Sequence, residues 1–339
     1  MNIQVNTSNR SIKNSLDAGE NPYISEVRTY LHLMAEKGSI KLADKKLLTK
    51  ENLLMLDSDG NTIIHAAAKY GILDQIPKEF LTKENLQMIN YNGRNVFHTC
   101  AQIGNYEQIP KVLRPHLLKS ENLKIKNDTL ENCYHILARL GYLGKLAELE
   151  NLGDEGLNNK VLLEKGPKGQ NCFQIAADNK RFDNYLVRLL DRPAIAKQNK
   201  DQENLLHVLA KHGLLNTIPE ELLNDDFIQL LHSKDKFNRT PICVAAAYGH
   251  IDQIRDLEKR GKSGKFVTKE ILLNKDILNR TILHHLDENE YNRYLKMFST
   301  RELKELASEK SLKIELINKE LRDRKIKTKL IISVKSLDD

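Results

Sequence analysis

The chain has 339 residues, of which 40% are hydrophobic and 29% charged, with no Trp and a net charge of +7 at pH 7. This length exceeds one ordinary hydrophobic core, so the chain forms either two domains or an array that grows by repetition. Its apolar runs are too short for a transmembrane helix. The polar N-terminus lacks the apolar stretch of an export signal, so a cytoplasmic protein is expected.

Residues 1–22 are polar and without apolar periodicity, and we expect a flexible segment there. A twelve-residue pattern recurs after this segment. Its first copies are VRTYLHLMAEKG (27–38), GNTIIHAAAKYG (60–71) and GRNVFHTCAQIG (93–104), which follow one another at intervals of 33 residues. A fixed period of this size predicts a repeat architecture.

One column of this pattern marks eight repeats. Its members are His32, His65, His98, His135, Gln174, His207, Cys243 and His284, spaced by 33 to 41 residues. Three residues upstream of the marker stands a Thr or Asn that we predict to cap a helix. These predicted caps are Thr29, Thr62, Asn95, Asn132, Asn171, Asn204, Thr240 and Thr281. Ala follows three residues after the marker and Gly six residues after it in most copies.

Each column has a physical reason. A Thr or Asn oxygen accepts an unpaired N–H of the first helical turn, Ala lets two helices approach closely, and Gly adopts the left-handed conformation that ends a helix. The segments that follow, such as LDQIPKEFL (73–81), predict a second helix with Pro77 in its first turn, where no hydrogen bond is lost. A unit this small buries its apolar face only by stacking on its neighbours.

The segments TIIHAAAKYG (62–71), ENLLHVLAKHG (203–213) and RTPICVAAAYGH (239–250) resemble the ankyrin-repeat motif T-P-L-H-x-A-A-x-x-G-H. The resemblance covers about residues 23–290 and implies an all-α, ankyrin-repeat helical solenoid of about eight units over residues 23–298. It also implies that the marker imidazole ties its turn and the adjacent units together by hydrogen bonds. The Asn caps, the Ile-Pro pairs and the TKENL connectors depart from the motif. These departures make the repeat atypical, and the richness in Lys, Asn and Ile favours a bacterial or viral type.

The sequence offers little chemistry for catalysis. One His per repeat places neighbouring imidazoles roughly 8–10 Å apart, whereas zinc needs ligands at about 2 Å. RGKSGK (260–265) contains a G-K-S triplet but lacks the upstream Gly of a phosphate-binding loop. The four cysteines occupy regular slots of the repeat and indicate free buried thiols. We therefore expect a non-enzymatic protein with no cofactor and no metal.

Partner-binding residues are expected at the turn that precedes each cap, the finger, and at the end of each first helix. These positions line the concave side of a repeat stack. The predicted contacts are Tyr70, Tyr91, Arg94, Ile103, Leu140, Phe237, Arg239, Tyr248 and Arg280. Aromatic, apolar and Arg side chains are enriched at interface hot spots. The alternative is that these side chains only cover the neighbouring finger.

Residues 299–339 are predicted to form a helical C-terminal cap with a basic tail. Ser299 and Glu302 have the spacing of a capping box. Seven basic and two acidic residues occupy 319–335, so nucleic acid or an anionic membrane is a partner only through this tail. A solvated, partly disordered tail is the alternative. The apolar run in KTKLIISVK predicts either a strand or a docking segment.

The sequence as a whole predicts a monomeric, non-enzymatic protein–protein interaction scaffold whose partner is another, unidentified protein. The alternative is a secreted bacterial effector that acts on a host protein in the host cytosol, with the basic C-terminal segment contributing.

Overall fold

The computed structural model describes residues 30–149, 157–261, 266–308 and 312–335. Within these ranges every regular element is helical, apart from one isolated bridge between Leu56 and Thr62. The prediction of an all-α repeat fold is confirmed. The chain divides into two compact units, one ending at Leu189 and the other beginning at Leu190.

The first unit contains repeats 1 to 5, numbered by their marker residues. Their first helices are residues 30–36, Ile63–Lys69, Val96–Ile103, Cys133–Leu140 and Cys172–Asp178. The second segments are Ile40–Leu42 with Lys45–Leu47, Leu73–Gln75 with Lys78–Phe80, Lys111–Leu113 with Arg114–Leu117, Leu143–Ala147, and Asn184–Arg188. The connector helices are Lys50–Leu53, Lys83–Gln87, Ser120–Leu123 and Asn159–Leu162, and a 3-10 turn, Pro167–Gly169, forms the fifth finger.

The second unit begins with the helix Arg192–Ala196 and contains repeats 6 to 8. The first helices of repeats 6 and 7 are Leu205–His212 and Pro241–Ala247, and repeat 8 has only the 3-10 turn Ile282–His284 in this place. Their second segments are Leu215–Thr217 with Glu220–Leu222, Ile251–Arg260, and Glu288–Leu295. Asp225–His232 and Lys269–Leu273 are connectors, and Thr300–Leu306 and Ile314–Lys335 follow the last repeat.

One expectation about a helix is wrong, and one of two alternatives for the C-terminal run is excluded. In repeat 2 the second segment is not one helix with Pro77 in its first turn, because Ile76 and Pro77 are both extended, with ψ of 135° and 131°, between two 3-10 turns. A residue before proline avoids the helical region, so the Ile-Pro pair divides the segment. At the C-terminus, the run KTKLIISVK continues the Ile314–Lys335 helix, which excludes the predicted strand.

The core of each unit forms where first helices pack side by side. Ile63–Lys69 packs on Val96–Ile103, which packs on Cys133–Leu140, which packs on Cys172–Asp178. In the second unit Leu205–His212 packs on Pro241–Ala247. The Ala column is buried throughout these helices, as at Ala68, Ala101 and Ala210. Small side chains at the contact allow the close approach, and the larger apolar side chains fill the space around it.

Candidate functional site

The repeats are positioned by their helix caps. A side-chain oxygen of Thr62, Asn95, Asn132, Asn171, Asn204 or Thr240 accepts a hydrogen bond of 3.0 to 3.2 Å from the backbone N–H three residues on. Thr281 lies ahead of a 3-10 turn, and its backbone N–H donates to His284 Nδ1 at 2.9 Å. The predicted cap Thr29 lies outside the described residues.

His65 connects its own cap to the next repeat. The backbone N–H of Thr62 donates to Nδ1 at 3.2 Å, which assigns the ring proton to Nε2. Nε2 lies 3.2 Å from the carbonyl oxygen of Arg94 and donates to it. Burial lowers the pKa of His65 to about 4, so the imidazole is neutral at neutral pH. Both nitrogens are therefore engaged in structural hydrogen bonds.

The same connection recurs, and we refer to it as the His bridge. Nε2 lies 2.9 to 3.4 Å from a backbone carbonyl of the next repeat in His32, His98, His135 and His207. Gln174 keeps the capping half, because its Oε1 accepts from the backbone N–H of Asn171. Cys243 has no ring to reach repeat 8. No group of three His, Cys, Asp or Glu side chains within the described ranges is arranged to hold a metal ion.

A second connection, the Gln bridge, runs in the opposite direction and was not predicted from the sequence. Gln108 Nε2 donates to the carbonyl of Ala68 at 3.2 Å, and its Oε1 accepts from the N–H of Leu73 at 3.2 Å. Gln75 and Gln253 make the equivalent pairs of bonds to the repeats before them. The signal is visible in the sequence, because each Gln stands ten residues after its marker.

Six fingers are fixed by an Asp or Asn eight residues before the marker, a column that was not predicted from the sequence. Its Oδ1 accepts from the backbone N–H groups two and four residues on. The residues are Asp57, Asn90, Asn127, Asn199, Asp235 and Asp276. This geometry holds the finger turn without regular strands.

The first unit contains a groove of about 810 Å³ on the finger side of repeats 1 to 3. The fingers at 57–61 and 90–94 form one wall, and the first helices of these repeats form the other. Its lining includes Leu33, Glu36, Asp57, Asp59, Asn61, Lys69, Tyr70, Asn90, Tyr91, Arg94, Gln102 and Ile103. Leu33 and Tyr70 are 47% and 39% exposed, so large apolar surface faces solvent here.

Comparisons with known proteins identify the fold alone. No family model matches the chain, and no curated protein matches it. Among solved structures, the chain is similar to the ankyrin repeat domain of Bcl-3, described as a unique member of the IkappaB protein family. The TM-score is 0.51 at 15% sequence identity, over 70% of this chain and 100% of that domain. The fold is ankyrin-like.

Four of the nine predicted contact residues line the groove of this ankyrin-like protein: Tyr70, Tyr91, Arg94 and Ile103. Tyr91 is half-buried, and its ring covers the preceding finger. A Cβ on Gly60 would lie 2.7 Å from that ring. Tyr91 thus matches the alternative that such side chains cover the neighbouring finger, although one side of it still faces the groove.

The other five predicted contacts are not in the groove. Leu140 is half-buried at the end of its helix in the first unit. Phe237, Arg239, Tyr248 and Arg280 belong to the second unit. The ring of Phe237 lies 4.9 Å from both Lys236 Nζ and the Arg239 guanidinium, and Tyr248 is 50% exposed.

The cysteines and the helices were also compared with the expectations from the sequence. Cys100, Cys133, Cys172 and Cys243 are free and buried. Burial raises the pKa of the Cys243 thiol to about 11, so the thiol is protonated and unreactive at neutral pH. None of the helices that the structure describes combines the length and apolarity needed to cross a bilayer.

Proposed function

We propose that this ankyrin-like protein is a non-enzymatic scaffold that binds a protein partner through the groove of repeats 1 to 3. The observation that carries the proposal is the clustering of the exposed side chains of Leu33 and Tyr70 and the half-buried Ile103 in one groove with the guanidinium of Arg94. Aromatic and Arg side chains carry most of the binding energy at protein interfaces.

The framework of the groove supports this proposal. Its walls are joined by the His bridges of His32 and His65 and by the Gln bridges of Gln75 and Gln108. Such a framework positions the side chains before a partner arrives, and preorganisation reduces the entropy lost on binding. We propose the five predicted contacts outside the groove as additional binding residues of their own units.

Selection of binders from a displayed library of random peptides tests the proposal. The immobilised full chain should select peptides, and Tyr70→Ala and Ile103→Ala should each weaken their binding by roughly tenfold or more. Val112→Ala is the matched control, because Val112 is 65% exposed in the same unit but does not line the groove. Melting temperatures of all variants should stay close to that of the parent. Equal binding by Tyr70→Ala and Val112→Ala would exclude the groove.

The alternative function, a secreted bacterial effector acting on a host protein, differs in the origin of the partner. One feature favours it. The seven basic residues between Lys319 and Lys335 belong to a single helix, Ile314–Lys335, which supports an anionic partner. Capture from eukaryotic lysate but not from bacterial lysate would support this alternative, and capture that weakens steeply with salt would assign the binding to the basic helix.

We further propose a cytoplasmic location, in the host cytosol if the protein is an effector. Four free, buried thiols support a reducing compartment. A thiol reagent should modify all four cysteines after denaturation of the protein purified under non-reducing conditions. Recovery of fewer than four thiols would contradict this location.

A further inference from the structure

Three fingers carry an arginine at the same position, four residues after the Asp or Asn that fixes the turn. In the second unit these arginines are paired within the protein. Arg239 Nη2 lies 2.7 Å from Asp235 Oδ2 and 4.0 Å from Glu203 Oε1, and Arg280 Nη2 lies 2.9 Å from Asp276 Oδ2. Their positive charges are balanced by the acid of the same finger.

Arg94 is the third of these arginines, and its finger carries Asn90 in place of the acid. Asn90 Oδ1 accepts from the backbone N–H groups of Asn92 and Arg94, and its Nδ2 donates to Asn61 Oδ1 at 2.8 Å. The position that corresponds to Glu203 in the preceding finger is Asn61. Within the described part of the chain, the Arg94 guanidinium therefore has no carboxylate partner, although it is half-buried in the groove.

The acidic groups of the groove do not compensate for this charge. The carboxylate of Asp57 already accepts from the backbone of Asp59 and from Asn61. Glu36 and Asp59 are exposed and belong to repeats 1 and 2. Arg94 belongs to repeat 3 and shares the groove lining with Ile103 and with the cationic Lys69. The groove thus has an uncompensated cationic part beside an apolar part.

We infer that the groove binds an extended peptide segment that places an Asp or Glu side chain on Arg94 and an apolar side chain against Tyr70 and Ile103. This inference rests on the proposed function of the groove. A guanidinium binds a carboxylate through two parallel N–H···O bonds, which gives both affinity and orientation. Partial burial strengthens such a pair, because fewer water molecules compete for it.

The test identifies which peptide residues the groove selects and whether an acidic residue among them is needed for binding. A displayed library of random peptides about 12 residues long is bound to the full chain, and the best sequences are resynthesised with each Asp or Glu changed to Asn or Gln. We expect enrichment of one acidic position next to an apolar one. The neutral peptide should bind roughly ten to a hundred times more weakly, as expected for loss of a charged hydrogen bond.

Three variants make the assignment to Arg94 specific. Arg94→Gln should bind the acidic and the neutral peptide equally. Asn90→Asp should also weaken binding of the acidic peptide, because it gives this finger the same internal acid as Asp235 while keeping the guanidinium. Arg239→Gln is the matched control, since its guanidinium is already paired, and it should retain the full preference for the acidic peptide.

The possible results separate the inference from the function on which it rests. Selected peptides that show no acidic preference, or a preference that persists in Arg94→Gln, would overturn the inference and leave the groove as a binding site. Failure to select any peptide that depends on Tyr70 would overturn the proposed function together with the inference. Melting curves of all three variants confirm that the fold is retained.

Discussion

The contact between repeats 2 and 3 and the contact between repeats 7 and 8 are built differently. The first is crossed by the His bridge of His65 and the Gln bridge of Gln108. At the second, Cys243 occupies the His position and Tyr294 the Gln position, so neither bridge forms. Directional buried hydrogen bonds define the register of the repeats that form the groove.

In the contact between repeats 7 and 8, hydrogen bonds join the fingers, as from the N–H of Ile277 to the carbonyl of Phe237 at 3.2 Å, and the rest of the contact depends on apolar burial and charge. Arg255 Nη1 lies 3.1 Å from Glu290 Oε1. Tyr294 is buried, and its Oη has no hydrogen-bond partner among the described residues. Ile277, in the last finger, is 63% exposed. Non-directional packing tolerates small displacements, so we expect the two contacts to respond differently to perturbation.

Acidification should produce the largest difference in stability between the two contacts. Burial lowers the pKa of His65 and of His98 from 6.5 to about 4. Because the folded state binds the proton less readily than the unfolded state, the stability from these residues is complete above pH 6.5. It decreases as the pH falls to about 4, with a loss of about 2 kcal/mol per His at pH 5.

Hydrogen exchange at pH 7 and pH 5, corrected for intrinsic rates, measures this difference. Residues 60–104 should lose protection more than residues 240–260, whose marker is Cys243. The helix that contains His207 should also lose protection at pH 5, because burial lowers the pKa of His207 to about 4 as well. An equal loss of protection along the chain would contradict the structural role of the imidazoles.

Replacement of the marker residue should have the next largest effect. His98→Leu leaves the buried backbone N–H of Asn95 without a partner and removes the bridge to the carbonyl of Glu131, which then accepts only from the N–H of Asn127. We expect the free energy of unfolding to fall by about 3 kcal/mol. His98→Gln should be milder, since Gln174 retains the capping bond in its own repeat. Cys243→Ala, at the same position of repeat 7, should lose only about 1 kcal/mol, as expected for a small cavity.

Urea denaturation of these three variants at pH 7 gives the comparison directly. A loss of unfolding free energy for Cys243→Ala as large as that for His98→Leu would mean that the marker residues contribute to stability only by packing.

The Gln bridge should contribute less than the His bridge. Gln108→Leu leaves the N–H of Leu73 unpaired and removes the bond to the carbonyl of Ala68, which then accepts only from its own repeat, and we expect a loss of about 2 kcal/mol in unfolding free energy. Gln102→Leu is the control in the same repeat, because Gln102 is exposed and its replacement should change stability by less than about 0.5 kcal/mol. Equal losses in urea denaturation would show that Gln108 does not hold the repeats together.

The sequence predicted the periodic part of this structure well. The marker, cap, Ala and Gly columns each have one dominant physical reason, so the pattern alone indicated an all-α repeat fold. It failed where two local rules compete, as at Ile76-Pro77. There, tolerance of proline in a first turn was outweighed by the extended preference of the residue before it.

The groove could be predicted only in part. Tyr70 and Arg94 were recognised from their positions, but the importance of Arg94 depends on Asn90, which belongs to a column that was overlooked. The burial of Tyr91 against the neighbouring finger could not be predicted from the sequence, because the spacing of a residue from its cap does not determine the orientation of its ring.

The smallest expected effect comes from removing one buried hydroxyl group, either in repeat 3 or in repeat 8. Tyr106 Oη donates to the carbonyl of Phe97 at 3.0 Å, so Tyr106→Phe in repeat 3 should lower the free energy of unfolding by about 1 kcal/mol. Tyr294 is buried to a similar degree, but its Oη has no such partner in the described ranges. A buried hydroxyl without a hydrogen bond is destabilising, so Tyr294→Phe should leave the stability unchanged or raise it slightly. Urea denaturation of both variants at pH 7 measures the difference. A loss for Tyr294→Phe equal to that for Tyr106→Phe would mean that the Tyr294 hydroxyl is hydrogen-bonded in the folded protein as the Tyr106 hydroxyl is.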